Sequence, residues 1–212
     1  AAPSGPFKAA PLASARANTR DDALLFTASG KAALVPLHQV PEGQSVPLSS
    51  VTALDPAEKP VSLVIYHAAP SEAEGGGTEP APGPFVTLAT RLGRIKRVPR
   101  EDVAAAAGRG PAVVIGLDEG DELRWVEMTD GAQEVVLVTR HAQAIRFSEA
   151  EVRPMGLPAA GVLAVKMEAD GALVGMGIHR TGAFVVTFTE AGFGKRTLCD
   201  LFPLQKRHGT GV

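Results

Sequence analysis

Apolar residues along this chain gather in short runs rather than at helical spacing. The runs are 23–27 (ALLFT), 61–66 (VSLVIY), 85–89 (FVTLA), 113–115 (VVI), 135–139 (VVLVT) and 184–188 (FVVTF), each bounded by Gly, Pro or Asp. Runs this short, rich in β-branched and aromatic residues, predict strands; helical periodicity is almost absent. With 23 glycines and 17 prolines as punctuation, the pattern predicts an all-β chain.

The runs belong to a repeat. Segments 24–40 (LLFTASGKAALVPLHQV), 86–103 (VTLATRLGRIKRVPREDV), 136–152 (VLVTRHAQAIRFSEAEV) and 186–202 (VTFTEAGFGKRTLCDLF) superimpose without gaps on a threonine that closes each apolar run: Thr27, Thr90, Thr139 and Thr189. Three residues on stand Gly30, Gly93, Ala142 and Gly192, the mark of a hairpin turn. Seven on stand Leu34, Arg97, Arg146 and Arg196. Thirteen on stand Val40, Val103, Val152 and Phe202, which read as a core column. Upstream, Leu123 and Leu173 each precede their threonine by 16 residues, and Gly161-Val162 and Gly211-Val212 each follow theirs at 22.

One unit therefore reads as a Gly-Val strand, an acidic turn, a second strand and a Thr-Gly hairpin. Four strands per roughly 50 residues is the pattern of propeller-like blades, each needing neighbours to cover its faces. The units fall at about 20–43, 46–103, 110–152 and 161–202, with a partial unit at 205–212. Residues 70–84 (PSEAEGGGTEPAPGP) form a low-complexity insertion expected to be a mobile loop, and 1–19 a flexible leader. The absence of an initial Met suggests a processed or excised piece, and the half-units at both ends suggest a chain that continues past Val212.

The chain has 212 residues, enough for one sizeable core. Hydrophobic residues at 45% and charged residues at 21% exclude general disorder. The net charge of −2 excludes a strongly basic nucleic-acid binder, so any such surface must be a local patch. The single cysteine, Cys199, excludes a disulfide framework, fits a reducing cytoplasm, and reads as a small buried hydrophobe. No apolar run is long enough to span a membrane, and the first twenty residues lack the apolar stretch of a signal peptide.

The strongest local signal is Arg91-Leu-Gly-Arg94-Ile-Lys96-Arg97-Val-Pro-Arg100, five bases in ten residues with no acid. Later units supply Arg140, Arg146, Lys195 and Arg196, and the tail adds Lys206, Arg207 and His208. Rotation of like units would carry one basic column into a stripe around a rim, which can follow a phosphate backbone. The alternative is solvated strand-edge charge that prevents edge-to-edge pairing. Gly192-Phe-Gly-Lys195-Arg-Thr197 lacks the spacing of a phosphate loop. His38, His67, His141, His179 and His208 have no metal-ligand spacing. Trp125 and Phe147 read as core, and no Ser/His/Asp or paired-carboxylate constellation stands out, so neither metal, cofactor nor catalytic site is expected.

Several stretches resemble the C-terminal β-pinwheel domain of the A subunit of bacterial DNA gyrase. They are Ala144 to Gly156 (AIRFSEAEVRPMG), followed by Ala160-Gly-Val162, together with 136–139, 174–176, 192–197, 93–97 and 117–123. The resemblance implies a ring of four-stranded blades, with strands exchanged between neighbours and about four blades in this chain. It implies a non-catalytic domain that wraps duplex DNA around a basic rim. That domain would be monomeric in isolation. It would serve a DNA gyrase holoenzyme, made of the rest of the A subunit and the B subunit, in ATP-dependent negative supercoiling.

The DNA-contacting residues so implied are Arg91, Arg94, Lys96, Arg97, Arg100, Arg140, Arg146, Lys195, Arg196, Lys206, Arg207 and His208. The family's gyrase box, Gln-Arg-Arg-Gly-Gly-Lys-Gly, is matched only in part by Gln205, Lys206, Arg207, Gly209 and Gly211, which reads as the degenerate form found between blades. Leu34 breaks the arginine column in the first unit. The equivalent domain of topoisomerase IV, and a pinwheel that has become a protein-interaction module, are the alternatives.

Overall fold

A computed structural model describes residues 12–66 and 83–212. The expected insertion lies outside the described residues up to position 82, as do His67 and the first eleven residues of the leader. The described chain is dominated by thirteen strands. They are β1 (Asp22–Thr27), β2 (Lys31–Pro36), β3 (Pro60–Tyr66), β4 (Phe85–Thr90), β5 (Arg94–Pro99), β6 (Ala112–Val113), β7 (Leu123–Thr129), β8 (Glu134–Thr139), β9 (Ala144–Ser148), β10 (Val162–Leu163), β11 (Leu173–Ile178), β12 (Phe184–Phe188) and β13 (Gly194–Leu198). Two helices join them, α1 (Leu48–Val51) and α2 (Arg100–Ala107).

The recurring threonine has a direct physical cause. Its carbonyl accepts the N–H three residues on, at 3.0, 3.1, 3.0 and 2.9 Å in the four hairpins. Its hydroxyl oxygen accepts the N–H four residues on, at 3.4 Å from Lys31, 3.1 Å from Arg94, 3.3 Å from Gln143 and 3.1 Å from Phe193. The residue between is left-handed, with φ of 79° at Gly30, 87° at Gly93 and 83° at Gly192. Ala142 takes the same conformation at φ 60°, where its Cβ is strained.

The strands form antiparallel sheets ordered β3-β1-β2-β6, β10-β5-β4-β7, β11-β8-β9 and β12-β13. Gly211-Val212 continues the third sheet, since Ala144 and Val212 exchange N–H to carbonyl bonds at 2.8 and 2.9 Å. One sequence unit is therefore not one blade. In the unit 110–152, β6 joins the first sheet, β7 the second, and the β8-β9 hairpin starts the third. The next unit repeats this one sheet further on, with β10, β11 and β12-β13. The repeat unit of the sequence is thus offset from the blade, and such a unit sews three sheets together, as the strand exchange implied by the resemblance requires.

Burial follows the sheets. Leu24, Phe26, Val86, Leu88, Ile115 and Leu123 close the space between the first two blades. Ala89, Ile95, Leu137, Ile145, Phe147 and Val165 close the space between the second and third. The core column holds at Val103 and Val152, both fully buried, but Val40 is exposed. Phe147 and Cys199 are buried as expected, and Trp125 packs half-buried against the second core. The fourth blade has only β12 and β13 among the described residues. It leaves Phe188 77% exposed beside a groove of about 400 Å³ between it and the third sheet.

Helix α2 was not expected. Pro99 ends β5, Glu101 and Asp102 lie in the first turn where the helix dipole favours acids, and the alanines that follow are strong helix formers. Val103, Ala104 and Ala107 form its buried face. Among the described residues no helix is long and apolar enough to cross a membrane.

Candidate nucleic-acid interface

The arginine column seven residues after the threonine does not form an outer stripe. Arg97 is 6% exposed, and its guanidinium lies 4.6 Å from the centre of the Phe85 ring. It donates to Gly131 O at 3.2 Å and to Glu149 Oε2 at 3.4 Å. Arg146 is half-buried; its Nε donates to Glu134 Oε2 at 2.5 Å and its Nη1 to Phe202 O at 3.1 Å. Arg196 is exposed and stacks 4.6 Å from the Phe184 ring.

Each arginine meets a partner at one position on the neighbouring strand, five residues before the threonine, occupied by Asp22, Phe85, Glu134 and Phe184. It presents a ring or a carboxylate to the arginine, and either favours a guanidinium. The backbones of Arg97 and Arg146 also bind the following connectors, accepting the N–H of Met155 at 2.9 Å and of Gln205 at 2.8 Å. Arg97 and Arg146 are thus joints between units, which corrects the expectation of a phosphate-facing column there.

Lys96 is turned inward too. It is 0% exposed, and its Nζ donates to Val114 O at 2.7 Å and Leu157 O at 2.5 Å. Burial pushes its ammonium down to about 8. It cannot reach a phosphate, so this assignment is corrected as well. Lys195, its counterpart in the fourth blade, is exposed.

The remaining cations are in two states. Arg91, Arg94 and Arg100 are engaged: Arg91 donates to Gly120 O at 2.6 Å, Arg94 Nε to Asp118 Oδ2 at 2.5 Å, and Arg100 Nη2 to Glu101 at 2.7 Å. Arg140, Lys195 and Lys206 are exposed with no carboxylate partner among the described residues, as are Arg153 and Lys166, which the sequence reasoning missed. No shared column marks those last two, since the position of Arg153 is Pro203 in the next unit.

The box-like segment 205–211 occupies the place that 155–161 occupies one unit earlier. Arg97 bridges Pro154 as Arg146 bridges Leu204, and Gly161 and Gly211 both have positive φ, at 80° and 75°. Within it, Arg207 donates from its backbone to Glu151 at 2.8 Å and from Nη1 to Leu163 O at 2.5 Å. His208 is exposed at φ 64°, Gln205 binds Arg146 O, and Gly209 accepts from Lys166 at 2.9 Å. The segment is a connector between units.

Charge is unevenly shared. Residues 1–130 carry twelve Lys or Arg against sixteen Asp or Glu, whereas 131–212 carry nine against seven. Gly192 to Thr197 turns into strand β13 rather than a helix, so it lacks the helix N-terminus of a phosphate loop. His141, Glu168 and Asp170 bring three possible ligand atoms within 4.8 Å of one another, all exposed. Their separation in sequence hid this grouping.

Stacked β-sheets built from shifted repeats define a propeller-like repeat domain. The family model described as "DNA gyrase C-terminal domain, beta-propeller" matches residues 21–45, 85–130, 133–180 and 183–212. The chain belongs to that family. It is 31% identical over 199 residues to the DNA gyrase A subunit of Aminobacterium colombiense, covering 92% of this chain and 23% of that protein. It is 30% identical over 200 residues to the DNA gyrase A subunit of Salmonella typhimurium, covering 92% of this chain and 21% of that protein.

The chain thus spans less than a quarter of the length of these curated relatives. A crystal structure of the C-terminal domain of DNA topoisomerase IV matches with TM-score 0.76 and 25% identity, covering 92% of this chain and 59% of that one. The C-terminal domain of DNA gyrase A matches in fold with TM-score 0.72 and 20% identity, covering 92% and 60%.

Proposed function

We propose that this domain binds duplex DNA by sequence-independent phosphate contacts and bends it along the edge of its later blades. In the gyrase holoenzyme it would present that DNA to the core formed by the rest of the A subunit and the B subunit, supporting ATP-dependent negative supercoiling in the cytoplasm. The observation that carries this reading is the set of exposed cations without carboxylate partners among the described residues, Arg140, Lys195 and Lys206, joined by Arg153 and Lys166. Arg196, Arg207 and His208 add to this set, and Arg91, Arg94 and Arg100 contribute once their present contacts open. Lys96, Arg97 and Arg146 hold the blades and take no direct part. Phosphate contacts must offset a bending cost of about 1–6 kcal/mol for a site of 20–30 base pairs.

The test is fluorescence anisotropy with a duplex at two salt concentrations. Replacing Arg140, Lys195 and Lys206 with Gln lowers affinity and flattens the log–log salt slope by about 2.7, at roughly 0.9 for each phosphate no longer neutralised. Absent or salt-insensitive binding refutes the reading and favours a protein partner. The likeness to the topoisomerase IV domain supports a second reading, a domain that binds DNA with little wrapping. Ligating nicked circles on the domain separates the two, since only wrapping leaves a change in linking number.

A further inference from the structure

In three hairpins an acidic turn from the following unit closes over the tip. At the first tip Glu58 accepts from Ser29 Oγ at 2.6 Å and from Lys31 Nζ at 2.7 Å, while Ala28 N–H binds Lys59 O at 2.8 Å. At the second, Arg91 N–H binds Glu122 O at 2.8 Å and Leu92 N–H binds Asp121 Oδ1 at 2.8 Å. There Asp118 takes Arg94 Nε at 2.5 Å, and Glu122 lies 3.4 Å from Arg91 Nε. At the third, Arg140 N–H binds Ala172 O at 2.8 Å and His141 Nε2 lies 3.1 Å from Asp170 Oδ1. Among the described residues the fourth tip, Glu190 to Gly192, has no such cover. At the first tip the Lys31 and Ser29 hydrogen bonds hold the Glu58 carboxyl below its usual value, and Glu58 raises Lys31.

A guanidinium fork accepts a carboxylate or a phosphate with the same geometry. The bonds from Arg91 N–H to Glu122 O and from Leu92 N–H to Asp121 Oδ1 already fix the second turn against its tip. The Asp118 and Glu122 carboxylates are not needed for that anchoring; Glu122 is shared with Arg124, whose Nε donates to it at 2.8 Å, and Arg91 also keeps its bond to Gly120 O. We propose that they act as an intramolecular competitor for DNA phosphate, occupying Arg94 and Arg91 until DNA displaces them. This rests on the DNA-binding reading above. It sets an order of engagement: the uncovered cations of the later blades meet DNA first, and the second blade joins by exchanging carboxylate for phosphate.

The test is a double-mutant cycle on the 212-residue chain, read by duplex-DNA anisotropy at about 50 mM salt, where electrostatic contacts weigh most. D118N/E122Q tightens binding by about threefold to tenfold, the size expected for two exposed ion pairs. E42Q/E119Q changes net charge equally at exposed acids that hold no arginine, and alters binding by less than about twofold. In an R91Q/R94Q background the gain from D118N/E122Q disappears. An equal gain in the control pair, or a gain that persists without the arginines, overturns the competitor role. D118N alone, which spares the Glu122 contact with Arg124, repeats the test if the double variant unfolds. Wild-type chain that fails to bind DNA sinks the functional reading and this inference together. Binding that ignores the neutralised turn sinks the inference alone.

Discussion

Replacing Glu149 with Ala separates an arginine that holds blades from one that holds DNA. Glu149 is 0% exposed and accepts the N–H groups of Gly131 and Gln133, both at 2.9 Å, besides facing Arg97. Its removal orphans two backbone donors and leaves a buried guanidinium with one carbonyl and one ring. Losing one partner of a buried pair costs about 3–5 kcal/mol. For a chain of this size each kcal/mol lowers Tm by about 2–4 °C, so E149A melts about 6–20 °C below wild type.

R97M removes the cation but leaves Glu149 its two N–H donors, and costs less, about 1–3 kcal/mol. R196M, at the exposed equivalent position, changes stability by about 0.5 kcal/mol or less. The assay pairs thermal unfolding by circular dichroism with DNA anisotropy well below the melt. There R97M binds like wild type and R196M binds more weakly. If R97M melts like wild type while losing more DNA affinity than R140Q, the assignment of Arg97 as a joint is wrong.

Two further outcomes follow from the turn and the buried lysine. A142G relieves a left-handed alanine and raises stability by about 0.5–1 kcal/mol, seen as a higher urea midpoint; an unchanged or lower midpoint counts against strain at that tip. Lys96 titrates near 8 in the folded chain against 10.5 unfolded, so the folded state binds fewer protons between those values. Stability therefore rises as pH climbs through that window and is flat below it. K96M abolishes the slope, and urea midpoints at pH 7.5 and 9.5 show whether it does.

Strand positions were legible because alternation and β-branched content report local conformation directly, and the Thr-Gly pair marks each hairpin by its own hydrogen bonds. Strand exchange between blades came from the resemblance, because which sheet a strand joins is not written in the strand itself. β6 and β7 sit ten residues apart in one unit yet enter different sheets, and nothing in their own alternation encodes a distant neighbour. The basic column misled for a related reason. Arg97 and Arg196 look alike in sequence, and the covering blade alone decides that one is buried and the other open. The informative signal lay on the facing strand, where Phe85 and Glu134 were already suited to receive a guanidinium. Helix α2 escaped because its eight residues offer less than three turns of periodicity.

Because the units 110–152 and 161–202 each stitch three sheets, the smallest piece that can be removed cleanly is not a blade. Excising 110–152 would strip the first and second sheets of one edge strand each and the third of its hairpin in one stroke. An internal deletion of that unit must therefore heal three wounds to survive.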